Sequence, residues 1–127
     1  MRKERRRYPR LDVELPLELA LPNDGALIAE TVNVSIDGLQ FRCDHETARR
    51  IVPKGYVATP GERAEVLVRL RLPFVEQPSA AVEIRCRVII LRRLSANEYR
   101  FGLAFIGIEG QDYQVLETFV DERMRHP

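Results

Sequence analysis

Residues 80–90 read AAVEIRCRVII, and the apolar side chains at the even positions from 82 onwards alternate largely with charged ones. A period of two predicts a β-strand with one buried face. The same alternation occurs in residues 66–72 and again in residues 99–105. It dominates most of the chain and therefore predicts a mainly β protein.

The first part of the chain follows the same pattern. Residues 11–20 alternate leucine or valine with polar residues and predict a first strand. Pro16 has no N–H to give to a β-ladder, so we expect an edge strand or a bulge there. The composition of residues 22–25 predicts a turn. Further strands are expected at 26–34 and 39–43, which brings the total to six.

The period changes near the end of the chain. Apolar residues recur at helical spacing after Gly110 and predict an amphipathic helix at about 112–125. A short helix at 46–51 is also expected, within an irregular stretch at 44–62 whose role the sequence leaves open. Six strands followed by one helix predict a six-stranded antiparallel β-barrel with a C-terminal α-helix that plugs or flanks it. The length of 127 residues favours one domain, with a basic arm at 1–10 and the barrel at 11–127.

Composition argues against several classes of protein. No run of about 18 apolar residues is present, so we expect no membrane span and a cytoplasmic protein. The two cysteines, Cys43 and Cys86, form no Cys-x-x-Cys motif, predict neither a disulfide framework nor a zinc site, and fall at core positions of strands. The two histidines, His45 and His126, match no spacing of metal ligands or of a catalytic triad. We therefore expect no enzyme, no catalytic residues, no metal and no cofactor.

Charge is unevenly distributed along the chain. Residues 1–10 contain six Lys/Arg and one Glu, a net charge of +5, whereas residues 11–127 carry a net charge of −4. This asymmetry indicates either an anionic partner at the N-terminus or a solvated tail. Arg6 and Arg10 lie four residues apart on this arm, with Pro9 between them. Pro9 favours an extended chain over a helix, so the two backbone positions are at most about 13–14 Å apart.

A second group of polar residues ends the second long strand. Asn33 and Ser35 lie two apart and are expected to point to the same side as Thr31. An amide and a hydroxyl can read the edge of a base. The alternative is a plain turn in which both side chains bond their own backbone and Gly38 supplies a positive φ.

Taken together, Arg6-x-x-x-Arg10 and Asn33-x-Ser35-x-x-Gly38 resemble the two signatures of the PilZ domain family, whose members bind the bacterial second messenger cyclic di-GMP. Residues 99–105, YRFGLAF, are similar to the pattern of the family's last strand. The resemblance covers essentially the whole chain. It implies a bacterial receptor with a β-barrel, whose arm and barrel wall together hold the nucleotide.

The resemblance also implies roles for individual residues. Arg6 and Arg10 would bind phosphate and the Hoogsteen edge of guanine, and Arg5 would extend that contact. Asn33 and Ser35 would meet a guanine or a phosphate from the barrel, while Gly38 would let the backbone turn beside the ligand. In relatives a basic residue at the position of Arg5 accompanies an intercalated pair of ligand molecules, which leaves one molecule and a pair as alternatives.

Two departures from the family pattern stand out. Asn33 replaces the commoner Asp, which changes the donors that face a guanine, and the Ile90 region replaces a tryptophan found in many relatives. We expect the arm to rearrange on binding and so to signal to a downstream protein that the sequence does not identify. A homodimer is compatible with the sequence. The alternative function is a PilZ-like protein–protein adaptor that binds no nucleotide. Binding of DNA by the basic arm is disfavoured because the body of the chain is acidic and offers no evident stacking platform.

Overall fold

The structure is a computed structural model that describes residues 8–21, 25–53 and 65–125. Its elements alternate as the sequence predicts, with a long series of strands before the final helix. They are β1 (Leu11–Asp12), β2 (Pro16–Ala20), β3 (Ala26–Val34), β4 (Gly38–Cys43), α1 (His45–Ile51), β5 (Glu65–Leu72), β6 (Ala80–Ser95), β7 (Glu98–Ile108) and α2 (Gly110–Arg125).

Six of the strands close into an antiparallel barrel. The hydrogen-bonded order is β3-β2-β5-β6-β7-β4, and β4 pairs back to β3. The short β1 adds to the end of β3 beyond β2. The predicted β-barrel with a C-terminal helix is therefore confirmed. Closure leaves each of the six strands paired on both sides, which removes the free edges that an open sheet would present.

The first predicted strand is divided in two, and the expectation of an edge strand at Pro16 is wrong. β2 pairs with both β3 and β5. The break lies at residues 13–15, just before Pro16, which starts β2 and so occupies a position that tolerates a missing N–H. The hydroxyl of Thr31 spans the break, because it accepts from the Leu15 N–H (2.8 Å) and donates to the Val13 carbonyl (2.7 Å).

The alternating apolar residues line the interior of the barrel. Leu17, Val68, Ile84 and Phe101 are at most 2% exposed, and the rings of Phe41 and Phe101 stack at a centroid distance of 5.1 Å. Burial of such side chains stabilises the fold by roughly 1.5–3 kcal/mol each. The core therefore follows directly from the period of two in the sequence.

The two helices supply further core residues. Helix α2 contributes Leu116, Phe119 and Val120, and the ring of Phe119 meets Phe74 edge-on. Helix α1 contributes Ala48 and Ile51 and is capped by Asp44, whose carboxylate accepts from the Thr47 N–H at 2.8 Å. Both predicted helices are confirmed. Residues 22–24 of the predicted turn and residues 54–62 of the irregular stretch lie outside the described residues.

Candidate functional site

The turn between β3 and β4 carries Ser35. Its N–H donates to the carbonyl of Gly38 at 2.9 Å, and its hydroxyl donates to the carboxylate of Asp37. The N–H of Asp37 donates back to the Ser35 hydroxyl at 3.3 Å. Ser35 is buried, with 3% of the residue exposed, and these bonds hold its side chain in one position within the turn. This is the local turn bonding that the sequence offered as an alternative.

A β-bulge directs Asn33 away from the core. The register between β3 and β4 shifts between Thr31 and Asn33, so that Thr31 lies opposite the core residue Phe41 while Asn33 lies opposite Gln40. Residues opposite each other share a face of the sheet, so Thr31 points into the barrel and Asn33 lies on the outer face, where it pairs with Asp12 of β1 and is only 8% exposed. The expectation that Thr31 shares a side with Asn33 is therefore wrong, because one extra residue exchanges the two faces. The Asn33 amide donates to Gln40 Oε1 at 3.3 Å.

Gly38 is required for close approach and not for its φ angle. Among the described residues the only positive φ is at Gly25, so the expected positive φ at Gly38 is wrong. A Cβ on Gly38 would lie 2.6 Å from the backbone oxygen of Leu103. The absence of a side chain therefore allows the turn to lie directly on β7, where the Phe105 N–H also donates to the carbonyl of Asp37 at 3.0 Å.

Arg10 lies at one side of a shallow groove that begins at this turn. The groove has a volume of about 140 Å³. It is lined by Arg10, Ser35, Asp37, Gly38, Leu39, Gln40, Ile89, Ile90, Gly102, Leu103 and Ala104. Three of the residues singled out in the sequence, Arg10, Ser35 and Gly38, thus meet at one place, with Asn33 beside them through Gln40. Arg5 and Arg6 lie outside the described residues.

The floor of the groove is apolar. Ile90 pairs with Gly102, and a Cβ on Gly102 would lie 3.2 Å from the Ile90 side chain, which therefore covers the glycine. Ile89 and Ile90 are 36% and 45% exposed. The register of β6 against β7 shifts between Val88 and Ile90, so both isoleucines reach the outer surface. They give the floor of the groove an aliphatic surface.

Two neighbouring arginines on the outer face beside the groove differ in their contacts. Arg42 of β4 pairs with Arg100 of β7. Arg42 donates to Glu14 (2.6 Å) and to Glu30 (3.0 Å), and these bonds, that with Glu30 foremost, raise the pKa of its guanidinium. The Nε of Arg100 is buried and has no hydrogen-bond partner within residues 8–21, 25–53 and 65–125. Sequence reasoning missed Arg100; the only available signal was its place in the motif-like stretch 99–105.

Among the described residues, none of the histidines and cysteines noted in the sequence lines the groove. His45 begins α1, and its Nδ1 lies 2.8 Å from the hydroxyl of Tyr99. Burial raises the pKa of the Cys43 and Cys86 thiols to about 12, so both remain protonated at neutral pH. Cys86 is fully buried and Cys43 packs against the core. The expectation that both are core residues agrees with these positions. His126 lies outside the described residues.

Comparison of the sequence with known protein families identifies a family for this closed barrel and its groove. The profile of the PilZ domain matches residues 4–122. This chain belongs to the PilZ domain family. The match includes residues 4–10 of the arm and both motifs, so the resemblance seen in the sequence is confirmed. No protein with curated annotation matches the chain.

Solved structures of PilZ proteins share the fold. The chain is similar to the Bacillus subtilis inhibitor of motility MotI/DgrA, with a TM-score of 0.72 and 17% identity over 98% of this chain and 54% of that one. It is similar to the PilZ domain of Escherichia coli YcgR with c-di-GMP, with a TM-score of 0.61 and 11% identity over 97% and 95% of the two chains. The K. pneumonia MrkH–c-di-GMP complex gives a TM-score of 0.64 and 14% identity over 98% and 54%. This PilZ chain therefore spans about half the length of MotI/DgrA and MrkH.

Within residues 8–21, 25–53 and 65–125, neither helix is both long enough and apolar enough to cross a bilayer.

Proposed function

We propose that this PilZ domain is a bacterial, cytoplasmic second-messenger receptor that binds cyclic di-GMP and has no catalytic activity of its own. The ligand lies in the groove beside the β3–β4 turn, between the barrel and the N-terminal arm. The observation that carries the proposal is the position of Arg10, which lines the same groove as Ser35 and Gly38. The YcgR and MrkH structures, which contain c-di-GMP, support the same ligand for this chain.

The barrel side of the site is fixed before the ligand arrives. Ser35 is held by the turn, and Asn33 is directed outward by the bulge and bonded to Gln40. These side chains meet a guanine edge or a phosphate with an amide and a hydroxyl. Because the wall is already ordered, little conformational entropy is lost there on binding.

The arm supplies the positive charge. A groove of about 140 Å³ is smaller than the roughly 300–1,000 Å³ of most small-molecule sites, so the barrel provides only one side of the site. Arg5, Arg6 and Arg10 cover the ligand from the other side and donate charge-assisted hydrogen bonds to its phosphates and guanines. Each bond contributes roughly 1.5–3 kcal/mol, which offsets the ordering cost of about 1–2 kcal/mol per residue.

Movement of the arm onto the ligand changes the surface that a downstream protein binds. Arg10 is followed directly by β1, which pairs with the end of β3 through Leu11 and Val34. Rearrangement of the arm therefore changes a surface next to the barrel without unfolding the barrel itself. The ligand binds as one molecule or as an intercalated pair, and the measured stoichiometry decides between them.

Titration calorimetry of the full chain with cyclic di-GMP tests the proposal. We expect the wild-type chain to bind, and Arg10→Ala to weaken binding by about 10- to 100-fold, because one or more charge-assisted bonds are lost. Arg71→Ala is the matched control. It removes the same charge from β5, where Arg71 donates to Ser79, and its affinity should stay within about twofold of wild type.

A folded wild-type chain that gives no heat with cyclic di-GMP would refute the receptor proposal. The result would then favour the adaptor function, and the oligomeric state measured on the same sample would show whether self-association covers the groove. Binding of duplex DNA with a steep dependence on salt would instead indicate a phosphate-binding arm without nucleotide selectivity.

A further inference from the structure

We propose that Arg100 is a further ligand-binding residue, which donates from the barrel wall to a phosphate of the cyclic dinucleotide. The inference rests on the proposed function and names a residue that lies outside both sequence motifs. Its basis is the position of Arg100, the missing hydrogen bond at its Nε, and the contrast with Arg42.

The side chain of Arg100 lies on the outer face of the barrel. On β7 it is followed by Phe101, which is 0% exposed and faces the core. Across the sheet Arg100 pairs with Arg42 of β4 and with Arg92 of β6. Since successive residues of a strand alternate between faces, Arg100 shares the outer face with Gly102, two residues further along.

This position places Arg100 close to the polar wall of the groove. Asn33 pairs with Gln40, and Gln40 pairs with Gly102. Arg100 therefore lies two strands from Asn33, which is about 10 Å across the sheet. It also lies two residues from Gly102, which is about 7 Å along the strand. A long arginine side chain spans much of that separation. Gly102 has no side chain of its own on this path, and the aliphatic side chain of Ile90 lies over it.

Arg100 has unused hydrogen-bonding capacity. Among the residues that the structure describes, none forms a hydrogen bond with its buried Nε, and none forms an ion pair with its guanidinium. Buried polar groups nearly always have a partner, and one that has none calls for an explanation. An anion seated in the groove would provide acceptors for the guanidinium and allow the side chain to leave this position.

Arg42 shows what a structural arginine looks like at the neighbouring position. It occupies the same face, one strand away, and is bonded to both Glu14 and Glu30. Those two carboxylates neutralise Arg42, and neither is bonded to Arg100. Of this pair of arginines, Arg100 is therefore the one that is available to an anion. A planar guanidinium binds a phosphate through two parallel N–H donors, and each phosphate of cyclic di-GMP presents oxygen atoms that can accept both bonds.

Calorimetry with cyclic di-GMP and the variants Arg100→Ala and Arg92→Ala tests the inference. Arg92 is the matched control, because it lies next to Arg100 on the same face and its removal changes the net charge equally. We expect Arg100→Ala to weaken binding at least tenfold, and Arg92→Ala to weaken it less than threefold. Arg100→Lys keeps the charge but loses the two-donor geometry, and should fall between the alanine variant and wild type.

A readout at the ligand separates contact from a structural effect. In ³¹P NMR of the bound nucleotide, Arg100→Lys should shift a phosphate resonance, whereas Arg92→Lys should leave the spectrum as in wild type. Thermal unfolding of each variant verifies that the barrel is intact, and the lysine variant carries the test if Arg100→Ala does not fold.

The outcomes distinguish this inference from the proposed function. If wild type binds and Arg10→Ala binds about 10- to 100-fold more weakly, but the Arg100 variants match their Arg92 controls in affinity and spectrum, Arg100 is no ligand-binding residue and the receptor proposal stands. If folded wild type does not bind cyclic di-GMP at all, the receptor proposal and this inference are both overturned.

Discussion

The barrel has two walls that differ in regularity. The regular wall consists of β2, β5 and the first half of β6, where all eight residue pairs between β5 and β6 keep one register. The groove wall consists of the end of β3, β4, β7 and the second half of β6. The β3–β4 register shifts once, and the β6–β7 register shifts three times, between Arg85 and Cys86, between Val88 and Ile90, and between Arg93 and Ser95. Each shift changes which side chain faces outward, so the outer face of the groove wall departs from simple alternation.

The charges follow this division only in part. On the regular wall Arg69 pairs with Glu18 and Glu83, and Arg87 pairs with Glu65 at 2.9 Å. On the groove wall Arg42 is also paired, with Glu14 and Glu30, whereas Arg10 lines the groove and the Nε of Arg100 has no hydrogen-bond partner among the described residues. The groove wall therefore combines a paired arginine with one whose Nε is not bonded. Substitutions in the two walls should therefore separate stability from binding.

The largest expected effect on stability is in the regular wall. Leu70 is 0% exposed and pairs with Leu17 and Val82. Leu70→Ala should lower the free energy of unfolding by about 2–5 kcal/mol, because it removes buried surface and leaves a cavity. Urea unfolding measures the change, and the affinity of the folded fraction for cyclic di-GMP should match wild type. Leu67→Ala, at a more exposed position of the same strand, should lower the free energy of unfolding much less. Lost affinity in folded Leu70→Ala would contradict the separation of the walls.

In the groove wall we expect a smaller loss of stability that is accompanied by weaker binding of cyclic di-GMP. Gly38→Ala places a Cβ 2.6 Å from the Leu103 backbone oxygen, so β4 or β7 must shift. The free energy of unfolding should fall by roughly 1–3 kcal/mol, and binding should weaken because the turn carrying Ser35 moves. Gly110→Ala is the control, since its Cβ meets nothing within 4 Å. Unchanged affinity together with reduced stability would show that the position of the turn does not matter to the ligand.

The smallest effect on the free energy of unfolding is expected at Asp44, between the end of β4 and the start of α1. Asp44→Ala removes the cap on the Thr47 N–H and should lower the free energy of unfolding by about 1 kcal/mol near neutral pH. That hydrogen bond lowers the pKa of Asp44 in the folded state. The stabilisation is therefore present above the unfolded value of about 3.9 and is lost as the pH falls through the lowered one.

Urea titrations at neutral and acidic pH measure this difference. The gap between wild type and Asp44→Ala should narrow in acid, while Asp44→Asn, which caps without titrating, should keep most of the stability at both pH values. A gap that is independent of pH would assign the effect to something other than the carboxylate.

Much of the fold was predictable because its signals are local. Alternation of apolar and polar residues gave β3, β5 and β7 nearly to their ends, and helical spacing gave α2. The short α1 was also predictable. The split between β1 and β2 was not, because it depends on the hydroxyl of Thr31, which reaches the break from a strand that follows much later in the chain.

The candidate site was predictable only in part. The two motifs suggested that Arg10, Ser35 and Gly38 belong together, and the structure brings these three to one groove. The reason for Gly38 was wrong, since the constraint comes from Leu103 across the sheet and not from its own φ. Arg100 could not be singled out from the other arginines in the sequence. Whether its Nε has a hydrogen-bond partner among the described residues depends on the side chains of adjacent strands, and the sequence does not show their positions.

The sequence by itself determined the strands, the final helix, the basic arm and the order of the two motifs, because each depends on residues that are close along the chain. The tertiary structure alone decided that Thr31 points inward and Asn33 outward, and that Glu14 and Glu30 neutralise Arg42 but not Arg100. Register and ion pairing are set between strands far apart in the sequence, and a shift of one residue is enough to exchange the inner and outer faces.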